Sequence, residues 1–370
     1  MDWGGAMRLL VSTLLLAVSS LRLTAQSPAI GMPEAEGVLA QLVQTYGVSG
    51  METPVRAAVQ RLLPPGSNSQ TDTAGNLWVT LGKGEPTVVF ISHLDEIGFR
   101  VTGIRDDGSL DLTPVGGLFP SLWEGKPALV HTGRATVPGI FMPRESTSST
   151  DPVRTPPDGL RADVGTGSRV ATTALGIEVG NTLTMPKEFV RLANTRATAR
   201  SFDDRVGSAA QVLALRHIDR ARLRHTVIFV WSVREEIGLE GAEAVANALG
   251  LRASRVHAID TFVSADSPLE LRNFGVAPLG RGAVARALDN SSVTPPAYLD
   301  TLVSVAQRRH IPFQVGTTNG GNDGSVFSSY GVPDVPIGWP LRYSHSPVET
   351  MDLRDLVSLA DMIRAVAEQW

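Results

Sequence analysis

Seven side chains have the types and the placing to do hydrolytic chemistry. His93 and Asp95 close the apolar run TVVFIS, Glu235 and Glu236 follow TVIFVWSV, and Asp260 follows VHAI. His345 lies in PLRYSHSPVE, after a further strand-like run, and Asp203 opens a helical stretch in SFDDRVG. Adjacent carboxylates at the end of a core strand repel each other, and burying either without a positive partner is costly. Two imidazoles with several carboxylates suit a pair of divalent cations, zinc first, with cobalt or manganese as alternatives. Ions in a two-metal hydrolytic site lie roughly 3.5–4 Å apart, so one carboxylate must bridge them. Asp203 is the candidate bridge, and Glu236 the candidate ligand of the glutamate pair. Glu235 is then the general base, taking a proton from water that the ions acidify. Asp95, two residues beyond His93, shares its face on a continuing strand and can orient the imidazole.

Taken singly, each piece has an ordinary explanation. A histidine beside a carboxylate is usually a hydrogen bond, acidic pairs favour the first turn of a helix, and a lone aspartate is usually a cap. What separates these residues from that background is recurrence. They stand where apolar strands end, and in open α/β sheets that edge forms the ligand crevice. His131, His217, His225, His257 and His310 lack such company and read as surface or core residues.

The elements needed to hold these groups can be read along the chain. PEAEGVLAQLVQTYG and TPVRAAVQRLL predict helices, the second with Thr53 as N-cap and Pro54 at the first helical position. GNLWVTLG and TVVFISHLD predict strands, the latter apolar enough to be covered on both faces. From about residue 200, DDRVGSAAQVLALRHI, HTVIFVWSV, GLEGAEAVANALG, a short VHAID, PPAYLDTLVSVAQRRH and DLRDLVSLADMIRAVAEQW alternate between helix and strand. Between them, GSLDLTPVGG, KPALVHTGRATVPGI and SRVATTALGIEVGNTLTM are Val/Thr/Ile segments punctuated by glycine, with a Pro/Ser/Thr loop, PRESTSSTDPVRTPPDG. The expected fold is α/β: a mixed, largely parallel sheet sandwiched by helices, formed by residues 32–100 and 192–370. Residues 101–191 form an inserted small β-barrel domain.

Composition narrows the function classes. The 370 residues contain no cysteine, which leaves histidine and carboxylate as the means of holding a metal. A net charge of −4 with no lysine/arginine run argues against nucleic acid as a partner. Residues 1–26 place Arg8 before an apolar stretch from Leu9 to Val18, then small and polar residues. That layout predicts a secretory signal, too short for a stable membrane span, and hence a periplasmic or extracellular protein.

In SHLDEIGFRVTGI, the VGG at residues 115–117, GIEVGNTLT, SFDDRVG, REEIGLEGA, AIDTFVSADSP and RYSHSPVE, the chain resembles the TET-type (glutamyl or deblocking) aminopeptidases of the co-catalytic zinc peptidase clan. The matching stretches cover nearly everything after residue 33. The resemblance implies metal ligands His93, Asp203, Glu236, Asp260 and His345, with Glu235 as base and Asp95 in support. It implies two divalent metal ions per chain, peptides with a free N-terminus as substrates, and large hollow homo-oligomers such as a dodecamer. Two segments depart from the family pattern: GGNDG at residues 320–324, where Gly-Gly-Thr-Asp-Ala is common, and FMPREST, where a histidine-containing continuation is usual. Three other readings use the same residues: a metal-dependent deacylase or carboxypeptidase, a glycosidase built on paired carboxylates, and a non-catalytic binding protein.

Overall fold

The computed structural model describes Met1, residues 29–143 and residues 159–370. The leader-like segment and most of the Pro/Ser/Thr stretch lie outside the described residues. Helices α1 (Met32–Val43) and α2 (Thr53–Leu62) precede strands β1 (Ser69–Thr71), β2 (Leu77–Leu81) and β3 (Thr87–His93). Helix α2 starts at Thr53 itself, and Glu52 occupies the N-cap position expected for Thr53. The Glu52 carboxylate does not cap its own helix. It accepts from the N–H groups of Gly50 (2.6 Å) and Arg234 (3.2 Å) instead.

The chain then leaves the sheet to build a closed barrel. Its strands are β4 (Gly98–Ile104), β5 (Leu110–Val115), β6 (Pro127–His131), β7 (Thr136–Phe141), β8 (Leu160–Asp163) and β9 (Thr182–Thr184), in the order β4-β5-β8-β7-β6-β9. Alternate residues fill the interior, where Trp123 lies 5.2 Å from Phe99 and 5.5 Å from Phe141 between ring centroids. Phe141 opens the unusual FMPREST segment, so that departure begins in the barrel core. SRVATTALG, expected as extended, is instead helix α3 (Arg169–Ala174), started by Ser168 Oγ accepting from the Ala171 N–H. That N-cap chemistry outweighs the β-branched content of the segment.

After β10 (Val190–Arg191) and β11 (Arg196–Ala199), helix α4 (Phe202–His217) returns the chain to the main body. There follow β12 (Thr226–Ser232), α5 (Glu240–Leu249), β13 (Arg255–Val263), β14 (Ala283–Leu288), α6 (Pro296–Arg309), β15 (Phe313–Thr317), β16 (Ile337–Leu341), β17 (Glu349–Asp352) and α7 (Leu353–Gln369). The main sheet runs β1-β2-β12-β3-β13-β16-β14-β15. Its centre, β12-β3-β13-β16, is parallel, while β2 on β12 and β14 on β16 are antiparallel. Every residue of β3 is buried. Val88 and Phe90 pack under α1, α4 and α7, while Val89 and Ile91 face α5 and the 3₁₀ turn Asp323–Tyr330, as alternation along a strand requires. Strand β13 is longer than VHAID suggested, so Asp260 lies within it, followed by Thr261, Phe262 and Val263. Among the described residues, no helix is long and apolar enough to cross a membrane.

A buried charge cluster ties the barrel to the sheet. Glu96, just after β3, accepts from the Gly47 N–H (2.7 Å) and ion-pairs with Lys187, Arg200 (3.3 Å) and Arg205 (3.8 Å). Burial alone would raise its carboxyl, but the three cations hold it well below the ordinary value. Removing one partner from such a cluster strands the others. Glu96→Gln is therefore expected to lower the unfolding free energy by about 3–5 kcal/mol. Denaturant unfolding checks this, and a loss below ~1 kcal/mol would mean that water screens the cluster.

Candidate metal centre

Parallel register sets Ser232 at the end of β12 beside His93 at the end of β3. The chain leaving β12 must turn over that edge, and Asp95 captures the turn. Its Oδ1 accepts from the Glu235 N–H (3.0 Å), and its Oδ2 accepts from the Glu236 N–H (3.1 Å) and the Ser49 hydroxyl (2.6 Å). The neighbouring glutamates thus project from one pinned turn. Asp95 Oδ1 also lies 3.4 Å from His93 Nδ1, long for a hydrogen bond, so its shorter contacts are with the glutamate backbone.

Across the edge of the sheet, Asp203 stands at the start of α4 with non-helical backbone angles. One of its oxygens faces each imidazole: Oδ1 is 3.1 Å from His93 Nε2, and Oδ2 is 3.5 Å from His345 Nε2. His345 Nε2 also lies 3.4 Å from Glu236 Oε2. Donor atoms of His93, Asp203 and Glu236 all fall within 4.8 Å of one another. Asp260 enters from β13, its Oδ2 3.3 Å from Arg286 Nη1, and its Oδ1 accepting from the Thr261 N–H (2.5 Å). With Asp203, Glu235, Glu236 and His345 it lines a cavity of about 670 Å³, whose apolar wall includes Leu118, Phe119, Leu239 and Val263.

Several groups that hold this arrangement carried no signal in the sequence reading. Glu349 sits in SHSPVE, and its carboxylate accepts from the N–H groups of both His345 (2.9 Å) and Asp203 (3.2 Å). Gly117 of the barrel offers its carbonyl to His345 Nδ1. Arg286, in the unremarked stretch VARALDN, contacts Asp260 and donates to the carbonyls of Gly320 (3.3 Å) and Gly321 (2.7 Å). The unusual GGNDG segment therefore forms part of the cavity wall. Its Asp323 is buried behind the site, with the Ser232 hydroxyl donating to one oxygen while the other has no partner among the described residues.

The electrostatics favour a cation. Burial pushes Glu235 well above the ordinary carboxylate range; His93 opposes the rise, and Asp260, Glu236 and Asp323 add to it. Burial likewise lifts Asp260 to about 6, Asp323 to about 7 and Glu349 to about 8. Both histidines go the other way from what burial dictates. Asp203 and Asp95 raise His93, and Glu236 and Asp203 raise His345. The donor set fits a divalent metal on tautomer grounds as well. A carbonyl only accepts, so the Gly117 contact places a proton on His345 Nδ1 and makes Nε2, which faces Asp203 and Glu236, the nitrogen whose proton a metal would replace.

Residues 75–362 match a family described as M42 glutamyl aminopeptidase. The lysyl aminopeptidase of Pyrococcus furiosus is 28% identical over 342 residues, covering 90% of this chain and 96% of its own. Among solved structures, the Pyrococcus horikoshii TET1 peptidase, which can assemble into a tetrahedron or a large octahedral shell, is 32% identical with a TM-score of 0.83, covering 92% of this chain and all of its own (100%). An aminopeptidase from Desulfurococcus kamchatkensis is 28% identical with a TM-score of 0.84, covering 92% of this chain and 96% of its own.

The Asp95 contacts give a direct test of the turn. Asp95→Asn places an amide donor where an N–H donor already points, disturbing both glutamates and the His93 contact. It is expected to weaken zinc binding about 10–100-fold in equilibrium dialysis, with the circular dichroism spectrum unchanged. Wild-type affinity in that variant would leave Asp95 without a part in cation binding.

Proposed function

The chain belongs to the M42 glutamyl aminopeptidase family, and on that basis we propose how this peptide hydrolase removes N-terminal amino acids. His93, Asp203, Glu236, Asp260 and His345 would hold two divalent cations, zinc first and cobalt or manganese as alternatives. When bound, these supply Lewis acidity at the scissile carbonyl, a position for the free α-amine and a lowered pKa for water. The observation that carries this reading is the pose of Asp203, one oxygen toward each imidazole, as a bridging carboxylate requires.

The protein's own part is proton transfer and positioning. Glu235 Oε2 lies 3.9 Å from His93 Nε2 and beside the cavity, on a turn that Asp95 holds. It accepts the proton of the attacking water and passes it to the nitrogen of the leaving amine. Glu349 holds the His345 backbone through its N–H, the Gly117 carbonyl holds the imidazole at Nδ1, and Leu118, Phe119 and Val263 line the cavity beside them.

A glycosidase mechanism would use the paired carboxylates but leave His93, His345 and Asp203 without a task. The readings separate on a panel of peptides with free or acetylated N-termini, assayed before and after chelation and zinc or cobalt restoration. Cleavage confined to free termini, lost on chelation and regained with metal, is expected. Glu235→Gln is expected to lower kcat by roughly 10²–10⁴-fold while zinc affinity holds. Equal cleavage of acetylated peptides points to the deacylase, and indifference to chelator removes the metal mechanism.

Two coarser traits complete the proposal. Assembly into a homo-oligomer, a dodecamer first, is supported by the TET1 structure solved as a dodecamer; a monomer mass in sedimentation would end that reading. Export rests on the pattern of residues 1–26 alone. A fusion of those residues to a reporter active only outside the cytoplasm is expected to give signal, and silence would place the protein in the cytoplasm.

A further inference from the structure

We propose that Glu270 makes this aminopeptidase selective for a basic first residue, lysine or arginine; the inference rests on the aminopeptidase reading above. Glu270 lies in the turn after β13, where its N–H donates to the Ser267 carbonyl, and it lines the same cavity as Asp203, Glu235, Glu236, Asp260 and His345. The other carboxylates of that cavity are bound up in the candidate metal centre. Glu270 stands apart from them. Among the described residues its side chain accepts from the Asn319 amide at a long 3.4 Å and feels the His345 imidazole at longer range, and no lysine or arginine ion-pairs with it.

The opposite charge in the cavity is spoken for. Arg286 is buried and contacts Asp260 (3.3 Å) and Asp289 (3.0 Å), and it donates to the carbonyls of Thr261 (3.1 Å), Gly320 and Gly321. Its guanidinium thus has no face left for an acidic substrate side chain. A cavity with an uncompensated carboxylate and a saturated arginine repels glutamate and attracts lysine. The walls agree: Leu118, Phe119, Leu239 and Val263 offer apolar surface of the kind that a lysine or arginine stem covers while its charged head reaches a polar partner. A half-buried carboxylate without a lysine or arginine partner is already costly, and burial lifts its proton affinity against the opposing Asn319 contact and the His345 charge. A substrate ammonium would relieve that cost, which a leucine or glutamate side chain does not.

The test compares kcat/KM on lysyl, leucyl and glutamyl p-nitroanilides, each with a free amine, for the wild type, Glu270→Gln and Glu270→Arg. The wild type is expected to favour lysyl over glutamyl substrate by at least about tenfold, the effect of one partly desolvated charge pair. Glu270→Gln should lose about that factor on the lysyl substrate alone, with the leucyl rate unchanged, and Glu270→Arg should move preference toward glutamyl. A wild type that cleaves glutamyl as well as lysyl substrate overturns the inference, as does a Glu270→Gln variant that loses lysyl and leucyl activity alike. Leucyl cleavage in all three proteins keeps the aminopeptidase reading intact in either case. Absence of cleavage of every substrate sinks that reading and this one with it.

Discussion

Mutual repulsion among buried carboxylates sets the terms for the rest of this molecule. Glu235, Asp260, Asp323 and Glu349 all have proton affinities raised by burial, and Glu236 and Asp203 stand among them. Left to themselves such groups would move apart or draw in water. The fold opposes this with fixed donors: two backbone N–H groups and a hydroxyl on Asp95, two backbone N–H groups on Glu349, and Arg286 against Asp260. Each of these holds the backbone or a flank in place without cancelling the charge at the centre. A divalent cation does that, so pre-organisation and metal affinity are the same property described from two sides.

The sheet that bears this load was largely legible. Strands β3 and β12 read as strands because they are apolar throughout, which only a doubly covered parallel strand needs to be. The barrel declared itself by short Val/Thr/Ile segments and frequent glycine. Strand β13 was read too short, since Arg255, His257 and Asp260 interrupt its apolar pattern. Each finds a distant partner: the terminal Trp370 carbonyl, the Val335 carbonyl and Arg286. Strands β14 and β15 went unread for a related reason. Arg286 sits in the middle of AVARAL, and a buried arginine resembles a surface one until its acceptors, scattered over the turns after other strands, are known.

At the candidate site, side chains with metal-binding types were easier to find than those that position them. The seven residues named from sequence converge on one edge of the sheet because strand ends were a sound guide to the crevice. Glu349 and Gly117 were not found because their work is done through backbone groups or on the backbones of others. A spacing pattern records neither. Asp95 shows the same limit from the other side: adjacency to His93 suggested an imidazole partner, while its shortest bonds go to a hydroxyl and a turn far away in the chain.

The insertion of the barrel between β3 and α4 also has a bearing on synthesis. His93 emerges early from the ribosome, Asp203 follows only after the whole barrel, and His345 comes near the end, just before β17 and α7. At roughly 5–20 residues per second, many seconds separate the first of these groups from the last. From the synthesis of Asp203 until that of His345, Asp203 has one of its two imidazoles and lacks the other, and the Glu349 acceptor for its N–H has not yet been made. A nascent chain therefore carries a half-formed site, whose contacts are complete only with the last part of the polypeptide. A chain that stopped between β16 and His345 would include every strand of the barrel and of the main sheet but lack the imidazole that faces Asp203 Oδ2 and the carboxylate that accepts the Asp203 N–H.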